Sequence, residues 1–386
     1  MTVEKILFAL FRSEICGETL LDEYKKAITP ETASALYSIS KSHDLAHLVC
    51  EALDKNGVLA QCGKRLEEAF CGQRHLAVCR YEQMKYEYAR ICNAFEEAKI
   101  DYMPLKGAVI RAFYPQPWLR TSCDIDILIE REELNNAIKA LSEKLDYKLT
   151  TRTAHDVSLF SGGGVHLELH HELIENEEKA QRVLSKVWET SKCAKDRTYC
   201  YEMNDETFYF YHLAHMAKHF LCGGCGIKPF IDLWILERQI PHDEKARDAL
   251  IELGGLQTLN ERAKKLCQVW FAGQEHDDVT KQIEMFVLSG GVYGNLENRV
   301  AVQQQKKGGK IRYAFSRIFL PYDEIKVQYP VLENKKWLLP FCQVRRWVRL
   351  IFKGRVGHSV RELNVNAGIS QERQQVVEML LQNLGL

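Results

Sequence analysis

The sequence predicts an α+β protein, in which a small mixed β-sheet is accompanied by a helical N-terminal region and a helical C-terminal region. Two observations predict this class. Most of the chain repeats apolar residues every three or four positions, which is the period of an amphipathic helix. Residues 100–173, by contrast, contain short apolar or alternating runs bounded by Gly and Pro, a pattern typical of strands.

We therefore expect four regions along the chain. Residues 1–95 should be helical, 96–204 should hold the sheet, 205–290 should form a helical bundle, and 291–386 should be basic and mostly helical. The helical spacing is clearest in EKILFALFRSEI and RYEQMKYEYARICNAFEEA before the sheet, and in ETFYFYHLAHMAKHFL and FIDLWILERQI after it.

The composition is that of an ordinary globular protein. Of 386 residues, 46% are hydrophobic and 27% are charged, and 52 basic residues balance 52 acidic ones. Balanced charge excludes a strong global attraction to nucleic acid or membranes, and no apolar run reaches the roughly 18–20 residues of a membrane-spanning helix. We expect a cytoplasmic protein without a membrane partner. Its thirteen scattered cysteines should be free and pack as small apolar residues.

The sheet region divides into successive elements. The segment IDYMPL predicts a strand that ends at Lys106-Gly107, where a helix (AVIRAFY) should begin, and a loop with two prolines leads to a second strand, DIDILIE. A helix follows, with four leucine and isoleucine residues on one stripe: Leu134, Ile138, Leu141 and Leu145. The last two strands, DVSLF and VHLELHHEL, are joined by a serine and three glycines, which predict a hairpin.

The second strand carries two carboxylates on one face. Asp124 and Asp126 are two residues apart, so both side chains leave the same side, while Ile125, Ile127 and Ile129 leave the other side toward a helical layer. Two adjacent carboxylates repel each other unless a cation lies between them. Oxygen ligands on a rigid strand are what Mg²⁺ prefers, with substrate phosphates completing its coordination.

A third carboxylate on a neighbouring strand would complete a two-metal site. In VHLELHHEL, Glu168 shares one face with His166 and His170, while the apolar residues share the opposite face. Because the apolar face must pack on the core, Glu168 has to point away from it. We expect this face to be the one that bears Asp124 and Asp126.

Residues before the aspartates have the chemistry of a phosphate-binding loop. Lys106 and Gly107 stand at a strand-to-helix turn, where glycine permits close backbone approach and the helix N-terminus favours anions. Arg120 and Ser122 add a guanidinium and a hydroxyl suited to triphosphate oxygens. A lone Asp-x-Asp is common at solvated strand ends, so the interpretation depends on the order of all these elements.

That order resembles the nucleotidyltransferase superfamily of DNA polymerase β. The segment LKGAVIRAFYPQPWLRTSCDIDILI is similar to an uncharacterised nucleotidyltransferase-like bacterial family and to nucleotidyltransferase toxins of the AbiEii type. Similarity to the uncharacterised family extends over most of the chain, including ELHHEL, HLAHMAKHF, the later Asp232 and the tail LPYDEIKVQYPVLENKKWLLPFCQVRR.

The resemblance implies roles for the residues of the motif. Asp124 and Asp126 would bind the metals, and Glu168 would be the third metal ligand and a candidate base. Nucleotide phosphates would be held by residues of the turn and the loop: Lys106, Gly107, Arg120 and Ser122. This chain departs from the superfamily at Gly107-Ala108, where a Gly-Ser or Gly-Gly pair is frequent, so Lys106 or Ser122 would have to replace the missing hydroxyl.

A histidine-rich helix follows the sheet region. His212, His215 and His219 share one helical face, and Cys222 and Cys225 follow closely. His215 and His219 with the two cysteines could form a zinc site, although all four ligands would fall within eleven residues. The alternative is that the histidines line a cleft beside the sheet, where His215, His219 and His170 would position the substrate, or that they cap polar gaps in the core.

The basic segment over residues 306–355 has two interpretations. Its lysines and arginines are interleaved with aromatic residues such as Trp337 and Trp347, a pattern typical of surfaces that bind RNA or an acidic protein. Amphipathic helices that bury the stems of lysine and arginine would give the same pattern.

Three functional hypotheses follow. The first is an enzyme that transfers a nucleoside monophosphate from an NTP, with Mg²⁺ or Mn²⁺, to a small-molecule, protein or RNA acceptor and releases pyrophosphate. The second is a degenerate nucleotide-binding or regulatory module without turnover. The third is a toxin-like nucleotidyltransferase that modifies tRNA, for which the basic segment is the sequence feature.

Overall fold

The structure is a computed structural model that describes residues 1–153, 155–173, 178–292, 294–352 and 356–386. Helices and a five-stranded mixed sheet make an α+β protein, as the sequence predicts. Within the described ranges, no helix combines the length and the apolar character needed to cross a membrane. All thirteen cysteines are free, as predicted, and seven of them are buried. The prediction that they pack as small apolar residues is wrong for four exposed ones: Cys79, Cys123, Cys193 and Cys222.

Five helices precede the sheet: α1 (Val3–Ile15), α2 (Asp22–Ala27), α3 (Pro30–Ser42), α4 (Ala46–Lys55) and α5 (Lys64–Ala98). Local chemistry sets several of their ends. Helix α3 begins with a reciprocal capping box between Thr29 and Thr32 and has Pro30 at its first position. Helix α5 has 35 residues, so it is about 52 Å long at 1.5 Å per residue. It ends at Lys99, which adopts the left-handed conformation.

The sheet region contains the following elements: β1 (Tyr102–Pro104), α6 (Gly107–Ile110), β2 (Asp124–Ile129), α7 (Leu134–Leu145), β3 (Lys148–Arg152), β4 (Asp156–Phe160), β5 (His166–His170), α8 (Glu178–Leu184), α9 (Val187–Thr190), β6 (Lys192–Cys193) and β7 (Tyr201–Glu202). The main sheet has the order β1-β2-β5-β4-β3, and β6 and β7 form a separate pair. Strands β2 and β5 are parallel, while the other neighbours in the main sheet are antiparallel.

The back of the main sheet packs against α5 and α7. Ile125, Ile127 and Ile129 are at most 3% exposed and share a core with Ile91 and Phe95 of α5. Strand β5 contributes its two leucines to the same core. This packing confirms that the apolar face of β2 points to a helical layer, and it leaves the opposite face for the polar side chains.

Two local predictions differ from the structure. The helix expected over AVIRAFY is only the four residues of α6 and then tightens into a 3₁₀ turn over Arg111–Phe113. Tyr114 leaves the turn in an extended conformation because Pro115 disfavours a helical residue before it. Strand β3 was not predicted from the sequence, since all five of its residues are exposed at the sheet edge and no apolar face marks it.

The C-terminal part is helical. Its elements are α10 (Asp205–Leu221), α11 (Lys228–Gln239), α12 (Glu244–Leu253), α13 (Gln257–Ala272), α14 (Asp278–Gly290), α15 (Leu296–Lys307), α16 (Lys310–Ile318), α17 (Tyr322–Gln328), α18 (Val331–Asn334), α19 (Leu339–Phe352), α20 (Val356–Gly368) and α21 (Gln371–Leu384). Helix α10 starts at an Asn204 cap, which accepts a hydrogen bond from the Thr207 backbone.

The basic segment over residues 306–355 folds mainly into helices, and Arg355 at its end lies outside the described residues. Several of its apolar side chains face solvent, among them Phe315, Phe341 and Phe352. Burial of lysine and arginine stems therefore does not account for the whole pattern. Contact with RNA or with an acidic protein stays a prediction.

Candidate active site

Parallel pairing of β2 and β5 brings the predicted carboxylates to one face of the sheet. Asp126 lies directly opposite Glu168, and Asp124 lies opposite His166. Paired residues on adjacent strands project to the same side, so all three carboxylates leave the face opposite the isoleucine core. Donor atoms of Asp124, His166 and Glu168 lie within 4.8 Å of one another, and so do those of Asp126, Glu168 and His170.

Asp126 is the most enclosed of the three carboxylates, with 4% of its side chain exposed. Its Oδ1 atom accepts a hydrogen bond from Nζ of Lys106 at 2.9 Å and lies 2.9 Å from Nε2 of His170. Burial by itself raises the pKa of Asp126, but Lys106 and His170 outweigh it and hold that pKa well below its usual value. The pKa of Lys106 is raised in turn, because Asp126 outweighs the effect of burial.

Asp124 is in the opposite electrostatic situation. Burial is the largest cause, and the neighbouring Asp126 charge is the second, of a rise in the pKa of Asp124 to about 6. Lys106 opposes the rise without cancelling it. The pKa values of two carboxylates on one strand thus shift in opposite directions, because only Asp126 has the Lys106 ammonium as a direct partner.

The turn before α6 holds Lys106 in an unusual backbone conformation, with φ 44° and ψ −119°. Gly107 stands in a tight place beside it, since a Cβ atom there would meet Nη2 of Arg111 at 3.3 Å and the Ser122 side chain at 3.4 Å. The hydroxyl of Ser122 accepts from Arg111 at 2.9 Å and donates to the Asp124 carbonyl at 3.0 Å. Gly107 and Ser122 therefore shape the loop that presents Asp124, and phosphate binding by them stays a prediction.

Arg120 is engaged in a buried ion pair. Its Nε and Nη2 atoms donate to the two carboxylate oxygens of Asp232, each at 2.8 Å at closest, and Nη1 donates to the Thr121 carbonyl. Asp232 is 1% exposed and also accepts from the hydroxyl of Tyr114 at 2.6 Å. The structure thus gives Arg120 a role in fixing the loop against α11, and its predicted contact with phosphate is not tested by this geometry.

A second ion pair, between a buried lysine and a half-exposed aspartate, escaped the sequence analysis. Nζ of Lys228 lies 2.9 Å from Oδ2 of Asp44 and also donates to the carbonyl and the hydroxyl of Thr121. The Thr121 hydroxyl donates to Asp44 at 2.6 Å. Asp44 is one of the few non-glycine residues with positive φ, at 54°. Thr121 lies 77 positions and Lys228 184 positions after Asp44 in the chain, so local sequence patterns gave no signal for these contacts.

The two ion pairs, Asp124 and Asp126 border a cleft of about 270 Å³ between the sheet and helices α10 and α11. Ten residues singled out from the sequence line it: Lys106, Gly107, Arg120, Ser122, Asp124, Asp126, His212, His215, His219 and Asp232. Glu168 and His170 lie on the same sheet face but do not line this cleft. A larger cavity, of about 890 Å³, lies between α3 and the start of α5, but no acidic residue lines it. Carboxylate chemistry therefore places the site at the smaller cleft.

The histidines of α10 line the cleft, as one of the two interpretations predicts. Nε2 of His212 is 2.8 Å from the Pro229 carbonyl, and the Nε2 atoms of His215 and His219 are 2.9 Å apart. Among the described residues, the groups of three or more metal-type ligands within 4.8 Å are those on β2 and β5, and the His-Cys set is not one of them. A zinc site with Cys222 and Cys225 is thus not formed in this structure.

Comparison with known families assigns the chain to one of them. The model of a family described as uncharacterised nucleotidyltransferase matches residues 29–272, which is more than half of the chain, and the chain belongs to this family. The resemblance of the motif to this family is thereby confirmed, whereas the tail LPYDEIKVQYPVLENKKWLLPFCQVRR lies beyond the matched residues. Comparison with curated proteins gives no match.

Among solved structures, a Thermotoga maritima CCA-adding enzyme complexed with tRNA is similar to this chain. The two are 12% identical, the similarity covers 80% of this chain and 84% of that chain, and the TM-score is 0.21. Because that score is too low to support a comparison of the two folds, the family assignment depends on the sequence match.

Proposed function

We propose that this chain is a metal-dependent nucleotidyltransferase that moves a nucleoside monophosphate from an NTP to an acceptor and releases pyrophosphate. The observation that carries the proposal is the meeting of Asp124, Asp126 and Glu168 on one sheet face beside the cleft. A separation above about 8 Å between Glu168 and the aspartates would leave too wide a gap for ligand distances near 2 Å. The donor atoms lie within 4.8 Å.

The donor set fits a divalent cation. Three carboxylates on two adjacent strands supply hard oxygen ligands, and Glu168 belongs to both ligand groups, so it can bridge two positions. Mg²⁺ or Mn²⁺ would be held by Asp124, Asp126 and Glu168. When bound, such cations would neutralise charge on the triphosphate and activate the attacking oxygen of the acceptor.

The protein groups around the cation site would act mainly by positioning. Lys106 keeps Asp126 ionised and brings a positive charge to the cleft, where it is the candidate contact for phosphate oxygens. Glu168, on the strand next to the two aspartates, is the candidate base that would take a proton from the acceptor. His215 and His219 on the opposite wall would orient the acceptor. The acceptor would be a small molecule, a protein or an RNA.

Label transfer tests the proposal. The full chain is incubated with each α-labelled NTP in Mg²⁺ or Mn²⁺, with cell lysate as the source of acceptor, and labelled products are treated with RNase or protease. We expect transfer by the natural chain and none by Asp124→Asn. Asp146→Asn is the matched control, because Asp146 is exposed and its left-handed backbone (φ 54°) suits asparagine equally well.

The same assay separates the alternative of a degenerate module. Metal-dependent NTP binding without pyrophosphate release would contradict turnover and support a nucleotide-binding or regulatory role. Label in tRNA, together with growth arrest on expression that the Asp126→Ala variant loses, would identify the toxin-like activity. Transfer that persists in Asp124→Asn would refute the site itself.

A further inference from the structure

Two histidines flank Glu168 on strand β5, and both point to the carboxylate face. Residues alternate along a strand, so His166 and His170 share the side of Glu168. Each of the two ligand groups contains one of these histidines: His166 completes the group with Asp124, and His170 completes the group with Asp126. The donor set is therefore mixed, with imidazole nitrogens beside carboxylate oxygens.

The distances suit ligands of a shared cation. Nε2 of His170 is 2.9 Å from Oδ1 of Asp126 and 3.6 Å from Oε2 of Glu168, and Nε2 of His166 is 3.8 Å from Oε1 of Glu168. Two ligands at about 2.1 Å from an octahedral cation are about 3 Å apart when adjacent and about 4.2 Å apart when opposite. The separation between His170 and Asp126 matches adjacent ligands, and the two separations from Glu168 lie between the adjacent and the opposite values, so binding would need only small side-chain shifts.

His166 also supplies a buried atom that needs a partner. Its Nε2 atom is enclosed and has no hydrogen-bond partner among the described residues. The ring is held in place by stacking on Phe160, with centroids 4.5 Å apart and planes 11° apart. A buried polar atom without a partner costs about 1–3 kcal/mol, and coordination of a cation would remove this cost.

Imidazole ligands change which cation the site prefers. Mg²⁺ takes oxygen ligands almost exclusively, whereas first-row transition cations accept imidazole nitrogen readily. We propose that this centre binds a first-row transition cation such as Mn²⁺ in preference to Mg²⁺, with the Nε2 atoms of His166 and His170 as ligands beside the three carboxylates. The inference deepens the proposed function, on which its biological meaning rests, but the coordination can be tested without any turnover.

Mn²⁺ is the probe, used with the purified full chain and no nucleotide. Electron paramagnetic resonance measures free Mn²⁺ during a titration, and pulsed measurements detect the magnetic coupling of a bound Mn²⁺ to imidazole ¹⁴N. We expect ¹⁴N coupling in the natural chain and weaker coupling in each of His166→Asn and His170→Asn. Each variant should lose about 10-fold or more in Mn²⁺ affinity, while its Mg²⁺ affinity, from competition, should change by less than about threefold.

Two controls separate ligation from a general loss of structure. His75→Asn, an exposed position on α5, should bind Mn²⁺ as the natural chain does. In metal-free buffer, His166→Asn should unfold at an unchanged or higher temperature, because the enclosed Nε2 atom without a partner is gone. Bound Mn²⁺ without ¹⁴N coupling would overturn the proposal, and so would natural affinity in both histidine variants or no binding of Mn²⁺ at all.

The outcomes also distinguish this inference from the proposed function. Nitrogen-coordinated Mn²⁺ in a chain that transfers no label from any NTP would leave the metal inference intact and refute the transferase. Label transfer with Mg²⁺ that is equal in the natural chain and in both histidine variants, without ¹⁴N coupling to Mn²⁺, would do the reverse.

Discussion

The buried pair between Arg120 and Asp232 gives the sharpest test of how the loop before β2 is held. The perturbation is Arg120→Met, which keeps an apolar stem and removes the charge. Asp232 is 1% exposed, so the variant leaves a carboxylate enclosed without its bidentate partner. Removing one member of a buried pair costs about 3–5 kcal/mol. The remaining hydrogen bond from Tyr114 places the expected loss at about 3 kcal/mol.

The loss should depend on pH in a definite direction. In the natural chain, burial raises the pKa of Asp232, but Arg120 outweighs burial and leaves it below its usual value. The pair therefore stabilises the fold above the unfolded pKa, and this contribution fades as the pH falls. In Arg120→Met, burial would outweigh the remaining lowering effects of His212 and Tyr114 and raise that pKa, so the carboxyl would retain its proton at low pH. The deficit should be larger at pH 8 than at pH 5.

Urea unfolding followed by circular dichroism measures both effects. A second variant, Arg120→Met with Asp232→Asn, leaves no buried charge and should recover about 2 kcal/mol of the loss, since the cost of a lone buried charge is the larger part. A loss below about 1 kcal/mol for Arg120→Met, or a double variant no more stable than the single one, would refute the reasoning. NTP affinity of the folded single variant, measured in the cold, separately tests the predicted phosphate contact.

Two further predictions concern single side chains. Lys106→Met should lower label transfer by about 100-fold, because it removes a fixed positive charge from the triphosphate position. Lys139→Met, at an exposed position on α7, should leave label transfer unchanged. Equal rates of transfer in the two variants would contradict the role of Lys106. Burial lowers the pKa of His47 to about 4, although its hydrogen bond to the Leu119 carbonyl opposes the shift. Above pH 6.5 this imidazole is neutral in both the folded and the unfolded chain. Between pH 6.5 and 4 only the unfolded chain takes up the proton, so the free energy of unfolding should fall by about 3 kcal/mol. His47→Gln should reduce this acid-induced loss in urea unfolding, and an unchanged pH dependence would exclude His47 as its source.

Much of the site followed from residue alternation in two short strands. In DIDILI and HLELH, the alternating isoleucines and leucines have to face one core, so the aspartates and Glu168 between them have to face the other way. Leu128 is the exception, since it lies on the aspartate face and is buried in a second core. This constraint predicted that Asp124, Asp126 and Glu168 leave the sheet on the side away from the core. It did not predict that β2 and β5 pair in parallel with Asp126 opposite Glu168, which depends on how the chain crosses between them.

The second layer of the site was beyond such reasoning. Asp44 and Lys228 are ordinary charged residues in the sequence, and only the packing of the N-terminal helices against α11 brings them to Thr121. Asp232 was noted as part of a resemblance, but its pairing with Arg120 was not predicted. Long-range ion pairs have no period along the chain, whereas strand and helix faces do. Helix α6 was predicted too long, because the apolar pattern continues beyond the point where Pro115 ends the helical conformation. Strand β3 was missed because all five of its residues are exposed and no apolar face marks it.

The balance of charge around the cleft leads to the last prediction. Arg120 pairs with Asp232, Lys228 with Asp44, and Lys106 with Asp126, so among these cleft charges and Glu168 the carboxylates of Asp124 and Glu168 remain in excess. One divalent cation would neutralise that excess of two negative charges.

Asp124→Asn should therefore have opposite effects with and without metal. The pKa of Asp124 near 6, against 3.8 ordinarily, means that its ionised form opposes folding by up to about 3 kcal/mol above pH 6, and not below pH 3.8. Without metal, Asp124→Asn should be the more stable protein at pH 8 by about 2 kcal/mol and equal to the natural chain near pH 4. With Mn²⁺ at about 100 times its Kd, the natural chain should gain about 2.7 kcal/mol and the variant almost none. Thermal and urea unfolding with and without the cation measure both differences. A variant that is less stable than the natural chain in metal-free buffer at pH 8 would show that the carboxylate at position 124 is stabilised by the protein itself, and the electrostatic reason for a cation at this site would then be lost.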